Sequence, residues 1–593
     1  MSTSLRLLLE DFLGLMKEEG ELDVFLPLLM SAMGHEVMYR AQKGPRQYGV
    51  DIVSVGPDET GVKTLFLWLV KCGDIGRTDW DSGPQSVRQS INDVGVYLRS
   101  HVSPQHQRLA KRLFIVTNGD FLSNISETLA AFLEDWSAQR GVFAETVNGS
   151  TLAGWVEKHL LDEYVLPSAN RALLRRMLAN VSIPELCVSL GRSLIDAVLQ
   201  GLAQSTGSRR AATKQLLNAM RGIRTALTVL HIWSSSEANF LGSYIVSQYA
   251  VLASWAALHK KLLAGEKYAC VEFMELLAHQ SQVAHVYHER MDSYYQVQDG
   301  FANKLLDHVF VSQHVFDELG WLGVQGCLMA NMSAVNGSSG VELEPLAHAY
   351  ADRIAALLES HSCCALPVYD LHATHIHAAL LALVVCKRKD VAEQWLHALC
   401  ARLHHATGIR KFLPTTASFE EVLSVRHGNQ EIAEEHVRTS TLFPILAVWS
   451  AVLGMDELYH FLREQVLLRL DKTTPNFWSS ESGFDDVVAK PTKLHEHGYG
   501  EPTYFFPQDP RRFLIAMSRS LPDAEPLEAG TWYQLRAPYI PLLAAVHWGK
   551  QVPRVALVRQ AIAFASLAPP GSDQTHSGNT NPSEDSTRSV EPA

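Results

Sequence analysis

The sequence predicts an α/β domain at the N-terminus, followed by a large all-α region that forms a bundle or an irregular solenoid. Two observations predict this division. Over residues 1–165, short apolar runs typical of strands alternate with helical spacing, whereas over residues 166–470 helix follows helix and strand patterns nearly vanish. No fixed-period motif recurs in the helical stretch, so no named repeat family is indicated.

The length of the chain predicts more than one domain. Its 593 residues exceed what one hydrophobic core usually serves. After the helical domain, residues 471–567 are irregular and then helical, and the tail 568–593 is predicted to be disordered because it lacks large apolar residues apart from one valine. We therefore expect four segments, with boundaries near residues 165, 470 and 567.

Composition favours a cytoplasmic protein without a membrane span. Hydrophobic residues make up 47% of the chain and charged residues 19%, which is ordinary for a soluble globular protein. The net charge of −12 argues against a wholly basic nucleic-acid coat but allows a local basic groove. The first run, MSTSLRLLLEDFLGLMKEEG, carries acids within its apolar stretch and predicts a helix rather than a signal peptide. None of the 8 cysteines forms a CxxC pair, so reduced core thiols are expected.

The elements of the first domain are predicted in a definite order. Helical spacing occupies LRLLLEDFLGLMKE and DVFLPLLMSAMG, and HEVMYR reads as a short strand. The strands GVDIVSVG and TLFLWLVK are separated by the turn sequence GPDETG. A helix over GPQSVRQSINDVGVYLRSHV precedes the strand KRLFIVTNG, and helices over SETLAAFLEDWSAQRG and TLAGWVEKHLLDEYV complete the domain. This order predicts a mixed sheet flanked by helices.

Two charged residues sit at the ends of the central strands. Asp51 lies near the start of the first of them, and Lys71 ends the second, on the same side as Leu67 and Leu69. A lysine there is costly to desolvate unless it meets an anion. If the strands form a hairpin, Asp51 and Lys71 converge at one edge of the sheet, where an acid and a lysine suit a divalent cation and a phosphate.

Further motifs accompany this pair. An acid, Asp23, lies on the helix before the strand that starts at His35, and G-V-D-I occupies residues 49–52. An apolar strand then ends in L-V-K at residues 69–71, and V-R-Q at 87–89 and I-V-T-N-G at 115–119 follow. This succession resembles the PD-(D/E)xK nuclease superfamily, and most closely the Mrr-like restriction endonucleases, over about the first 165 residues.

The resemblance implies a restriction-endonuclease-like fold and a metal-dependent endonuclease that hydrolyses DNA phosphodiester bonds in bacterial restriction or phage defence. It implies Mg²⁺ or Mn²⁺ as cofactor, held by Asp51 together with Asp23 or Glu36. Lys71 would position the attacking water or the phosphate, so the catalytic residues implied are Asp51, Lys71 and Asp23.

One position departs from the family pattern. Leu69 stands where the family has Glu or Gln, and leucine can neither ligate a metal nor accept a hydrogen bond. Glu36, Asp74 or Asp23 could replace the missing ligand. Otherwise the domain keeps the nuclease fold without nuclease activity, and the protein is a nucleic-acid-binding or assembly scaffold. A nuclease that acts on RNA is a third alternative.

Two helices carry candidate nucleic-acid contacts. The helix after Lys71 offers Gln85, Arg88 and Gln89 to the backbone of DNA. The stretch SRRAATKQLLNAMRGIR places Arg210, Lys214 and Arg221 within one helical face, which suits phosphates but more often is a solvated face. The helical region is expected to bind a protein partner or to form a homo-oligomer. There is no GxxxxGK motif, so any ATP-driven translocation needs a partner.

Overall fold

The computed structural model describes sixteen ranges of the chain, and the predicted tail 568–593 lies outside them. The described residues are 9–10, 13–14, 16–17, 22–39, 48–83, 86–160, 168–203, 209–303, 307–336, 343–409, 418–427, 439–467, 474–475, 484–490, 507–519 and 531–550.

A mixed five-stranded sheet forms the centre of the N-terminal part. Its strands lie side by side in chain order: β1 (Glu36–Tyr39), β2 (Ile52–Pro57), β3 (Lys63–Lys71), β4 (Ala110–Thr117) and β5 (Phe143–Val147). The first three pair antiparallel, whereas β4 and β5 continue the sheet in parallel with β3. The predicted mixed sheet is present, and β5 is a strand that the sequence prediction missed.

The predicted turn between β2 and β3 closes a tight hairpin, which is the condition for Asp51 and Lys71 to meet. The Asp58 carboxylate accepts hydrogen bonds from the backbone N–H groups of Thr60 at 2.9 Å and Val62 at 3.0 Å. Gly61 has a φ of +80°, which glycine adopts without a Cβ clash. Because the turn satisfies its own donors, it fixes the register of β2 on β3.

Helices cover both faces of this sheet. One face packs against α1 (Asp23–Ala32) and α5 (Gly149–Trp155), which continues into a π-helical turn over Val156–Leu160. The other face packs against α2 (Arg77–Asp81), α3 (Val87–Ser100) and α4 (Ser123–Arg140). Side chains alternate along β3, so Trp68 and Val70 belong to the first face, and Leu67 and Leu69 to the second.

A buried polar group fixes the corner between α1 and the sheet. His35 Nδ1 lies 3.1 Å from Ser54 Oγ, to which the Trp68 indole N–H also donates at 2.9 Å. Burial lowers the pKa of His35, so the ring stays neutral at neutral pH. The Ser54 hydroxyl thus links the start of β1 to β2 and β3, within the core that packs against α1 and α5.

The rest of the described chain is almost entirely helical, as predicted. The helices are α6 (Ser168–Leu178), α7 (Pro184–Ala203), α8 (Arg209–Ser236), α9 (Leu241–Leu263), α10 (Lys267–Gln296), α11 (His308–Asn336), α12 (Glu344–Ser360), α13 (His372–Val385), α14 (Lys389–Ile409), α15 (Phe419–His427), α16 (Leu442–Val452), α17 (Asp456–Phe461), α18 (Phe484–Val487), α19 (Pro510–Arg519), α20 (Thr531–Gln534) and α21 (Tyr539–Trp548). Short 3₁₀ turns cover Gly300–Asn303 and Ser362–Ala365, a π turn covers Leu462–Leu467, and Thr439–Ser440 pairs with Thr474–Pro475.

The helices share one apolar core with the first face of the sheet. A single cluster of buried side chains runs from α1 and α5 into the helical region. Within it, α11 and α13 approach closely at Gly323, where a Cβ would lie 2.4 Å from the carbonyl carbon of Ala378. Glycine is therefore required at this crossing.

The N-terminus of α16 is capped from a distance. The buried Asp370 carboxylate accepts hydrogen bonds from the backbone N–H groups of Thr441 and Leu442 and from the Ser440 hydroxyl, at 2.7–3.1 Å. Unpaired N–H groups at a helix start favour such an acceptor, so Asp370 ties the segment before α13 to α16.

One described helix has the length and hydropathy of a membrane-crossing helix. This is α9, and 78% of its most apolar window is buried inside the protein. Such burial is typical of a core helix in a soluble protein.

Candidate functional site

Asp51 lies immediately before β2 and is bonded to the end of β3. Its Oδ2 accepts a hydrogen bond from the backbone N–H of Val70 at 2.7 Å, and its own N–H donates to the Trp68 carbonyl at 2.9 Å. These bonds hold the carboxylate beside β3, one residue before Lys71. The structure therefore brings the two predicted catalytic residues to the same end of the hairpin.

A glycine two residues before Asp51 allows the chain to place this carboxylate beside β3. Gly49 has a φ of +72°, and a Cβ there would lie 2.0 Å from the Ser90 carbonyl oxygen on α3. No other residue fits so close a backbone approach. The G-x-D spacing thus lets the chain pass under α3 and then present Asp51 at the strand end.

Lys71 is half-buried at the end of β3. Leu65, Leu67 and Leu69 point into the core between the sheet and α3 and α4, and by alternation Lys71 belongs to that face. Leu69 is 1% exposed, so its side chain fills this core. Among the described residues, Lys71 forms no ion pair, with Asp51 or with any other acid, which leaves its ammonium group available to an anion.

Asp23 lies in the first turn of α1, on the opposite face of the sheet from Leu69. Its Oδ1 is buried and has no hydrogen-bond partner in the described part of the chain. A buried carboxylate oxygen without a partner is costly, on the order of 1–3 kcal/mol. Asp23 and Asp51 approach the sheet from different elements, since Asp23 lies on α1 and Asp51 lies just before β2.

The structure places Glu36 away from Asp51, the acid with which the resemblance pairs it as a metal ligand. Glu36 is exposed at the start of β1, opposite Val55. Val55 and Asp51 are four positions apart along β2, which is roughly 13 Å at the rise of a strand. Carboxylates that share a Mg²⁺ must both reach within about 2.1 Å of it, and the separation of Glu36 from Asp51 is too large for this.

The turns after β3 and β4 form a cluster that the sequence analysis missed. Asp74 Oδ1 accepts from the Asp120 N–H at 2.8 Å, and Asp120 Oδ1 accepts from the Asn148 side-chain amide at 3.0 Å. A Cβ on Gly119 would lie 2.4 Å from the Gly73 carbonyl carbon. Asp74 therefore holds two turns together. The signal was present, since β3 and β4 are both followed by Gly-Asp.

The N-terminal segment is fastened over the same strand ends. Buried Asn118 donates through its side-chain amide to the carbonyls of Leu13 at 2.7 Å and Met16 at 2.8 Å. The Cys72 thiol also donates to the Met16 carbonyl, at 3.2 Å. Asn118 thus joins the end of β4 to a chain segment more than a hundred residues away.

The predicted contacts on α3 are engaged within the protein. Gln85 lies outside the described residues. Arg88 forms an exposed ion pair with Asp81 at 3.2 Å, and the side-chain amide of Gln89 donates to Asp93 at 2.9 Å. Exposed pairs of this kind contribute roughly 0–1 kcal/mol, so a phosphate could replace them.

The predicted basic face of α8 is in part an internal ion-pair cluster. Arg221 lies 3.4 Å and Arg224 3.6 Å from the buried Glu272 of α10. Lys214 is exposed, and the side chain of Arg210 lies outside the described residues. The Arg221 guanidinium therefore binds α8 to α10 while its side chain stays 36% exposed, so its contact with phosphate stays a prediction.

Asp51 is a donor of the kind that a hard divalent cation takes. Mg²⁺ and Mn²⁺ take carboxylate oxygens and water, and Mg²⁺ is often held by one or two carboxylates. Asp51 supplies a carboxylate, and Asp23 carries an oxygen without a protein partner. Among the described residues, no three His, Cys, Asp or Glu side chains are grouped to hold a metal.

Comparison with known proteins finds no match. The chain is similar to no protein-family model, to no curated protein and to no solved structure.

Proposed function

We propose that the N-terminal domain is a restriction-endonuclease-like domain that hydrolyses DNA phosphodiester bonds with Mg²⁺ or Mn²⁺. The observation that carries the proposal is the hydrogen bond from the Val70 N–H to Asp51, which puts the acid one residue from the half-buried Lys71. An acid and a lysine at one strand end suit a cation and a phosphate together.

The order of elements supports this proposal. The helix with Asp23 precedes β1, and β2 begins directly after Asp51. Next, β3 ends at Lys71, a helix begins at Val87, and a strand parallel to β3 ends at Thr117. This is the succession on which the resemblance to Mrr-like nucleases rests.

Lys71 and Asp51 would have different roles in the reaction. Lys71 would attract the phosphate and stabilise the negative charge that grows on it during hydrolysis. Asp51, fixed by the backbone of β3, would hold the metal. When bound, the metal would lower the pKa of a coordinated water and offset phosphate charge.

The biological setting follows from the resemblance alone. We propose a role in bacterial restriction or defence against phage, in the cytoplasm. The helical region, which shares a core with the nuclease-like part, would bind a protein partner or a second copy of the chain.

A second candidate function is favoured by Leu69. This residue is 1% exposed and packs in the core where the family has a ligating acid. In this alternative the domain binds DNA or a protein partner without cutting.

The test is an assay of nicking on supercoiled plasmid with purified full-length protein and Mg²⁺ or Mn²⁺. Asp51→Asn and Lys71→Met serve as inactive variants, and Lys63→Met, at the far end of β3, is the matched control. Nicking by the wild type and Lys63→Met, lost in the other two, supports the nuclease. DNA binding without nicking in either metal supports the second candidate. Replacing plasmid by single-stranded RNA tests the RNA alternative.

A further inference from the structure

Among the described residues, no strand pairs with the outer edge of β5. β5 stands at the end of the strand order and pairs with β4. Its Ala144 N–H points away from β4, because it donates to the Ser137 hydroxyl of α4 at 3.2 Å. In a parallel pair, alternate residues turn their backbone groups to opposite sides. Thr146, which is exposed, therefore turns its N–H to the same outer side.

A groove of about 530 Å³ lies between this edge and α4. Its apolar lining includes Phe143 of β5 and the edges of Leu129 and Leu133 of α4, which are otherwise buried in the core of the sheet. Phe143 is 52% exposed, which is high for a large aromatic side chain at the start of a strand. Apolar surface of this kind, beside open backbone groups, is typical of a site for an extended peptide.

Two acids give the groove its charge. Glu134 of α4 and Glu145 of β5 both line it. Within the described chain, neither carboxylate forms an ion pair or a hydrogen bond. The Arg112 guanidinium lies 4.8 Å from the centre of the Phe143 ring and offsets part of the charge of Glu145. The groove therefore complements a segment that carries apolar and basic side chains.

We propose that this groove binds an extended segment of a partner protein, with apolar and basic side chains, which adds to β5 as a further strand. The backbone of Thr146 would supply main-chain hydrogen bonds. Side chains of the segment on the α4 face would meet Leu133 and Glu134, and those on the opposite face would meet Phe143 and Glu145. This inference is independent of the proposed nuclease activity.

The test selects peptides from a random library displayed on phage against the full-length protein. Enriched peptides are then synthesised with a fluorophore, and their affinity is measured by anisotropy. We expect sequences that combine apolar and basic residues. Thr146→Pro removes the outer N–H and should weaken binding about threefold to tenfold, the effect of one or two hydrogen bonds, whereas Thr146→Val should bind as the wild type does.

The charge of the groove is tested with neutral variants. Glu134→Gln and Glu145→Gln together should weaken binding several-fold, and more at low salt than at high salt. Glu127→Gln, an exposed acid of α4 outside the groove, is the matched control and should have no effect. In hydrogen exchange, the Thr146 amide should gain protection when peptide binds. Failure to enrich such peptides, or binding that ignores Thr146→Pro, overturns the proposal.

Discussion

The Asp51 carboxylate accepts a 2.7 Å hydrogen bond from the backbone N–H of Val70, across the open end of the hairpin. This contact sets the distance between the acid and the lysine that follows Val70. It also gives Asp51 a structural role that is separable from any catalytic one. Substitutions at this position can therefore distinguish folding from chemistry.

Asp51→Ala is expected to lose both stability and activity, whereas Asp51→Asn is expected to lose activity alone. Alanine leaves the Val70 N–H without its partner, at a cost of about 1 kcal/mol in the free energy of unfolding. Asparagine keeps an acceptor oxygen but loses the charge that a metal needs. Urea unfolding measures the first effect and plasmid nicking the second. Equal stability loss in both variants would contradict the role given to this hydrogen bond.

Leu69→Glu is expected to create or strengthen metal-dependent nicking. It places an acid two residues before Lys71, on the same strand and face. The matched control is Leu67→Glu, which buries an acid in the same core further from the strand end. Both variants should lose stability, because each buries a charge. Nicking that increases only at residue 69 locates the missing ligand, and no increase there would argue that the site lies elsewhere.

Glu272→Gln should destabilise the helical region far more than Glu275→Gln. Glu272 is buried and lies near both Arg221 and Arg224, whereas Glu275 is exposed and pairs only with Arg224, at 3.3 Å. Neutralising Glu272 therefore removes the buried partner of both arginines, although Arg224 keeps its exposed one. Breaking a buried pair costs roughly 3–5 kcal/mol, whereas an exposed pair is worth about 0–1 kcal/mol. Thermal or urea unfolding measures both. Similar losses in the two variants would show that the cluster is a surface feature.

Asp370 should make stability depend on pH. Burial raises its pKa to about 6, against the opposing hydrogen bonds from Thr441, Ser440 and Leu442. The folded state then holds a proton that the unfolded state has released above about pH 4, so the free energy of unfolding falls as pH rises from about 4 to 6. The contribution is at most about 3 kcal/mol.

The matched variant for this effect is Asp370→Asn, which keeps an acceptor for the start of α16 but does not titrate. We expect its stability relative to the wild type to improve as pH rises through this window. The measurement is urea unfolding of both proteins at a series of pH values. A difference that stays constant with pH would contradict the raised pKa.

The hairpin was predictable because its signals are local. The turn from Asp58 to Gly61 closes on itself, and long apolar runs flank it. β5 escaped prediction because FAETV is short and its apolar and polar residues do not alternate. Contacts between residues far apart in the sequence could not be predicted, because they depend on how separate elements pack together. The Asp74–Asp120 bond joins residues 46 apart, and the pairing of Arg221 with Glu272 depends on how two helices pack.

The candidate site also has a part that could be predicted from neighbouring residues and a part that depends on packing. Asp51 and Lys71 could be placed together from strand alternation and a turn, both of which depend on neighbouring residues. The position of Glu36 could not, because it depends on the register of β1 against β2. The burial of Leu69 also needed the packing of α3 and α4 on the sheet.

Divalent-cation binding at Asp51 tests the central claim most directly. Titration of the full-length protein with Mn²⁺, followed by electron paramagnetic resonance of the free ion, measures it without any need for cutting. Asp58→Asn, at the closed end of the same hairpin, is the matched control. We predict one site that Asp51→Asn abolishes and Asp58→Asn leaves intact. Mn²⁺ binding that is absent from the wild type, or unchanged by Asp51→Asn, would contradict the account.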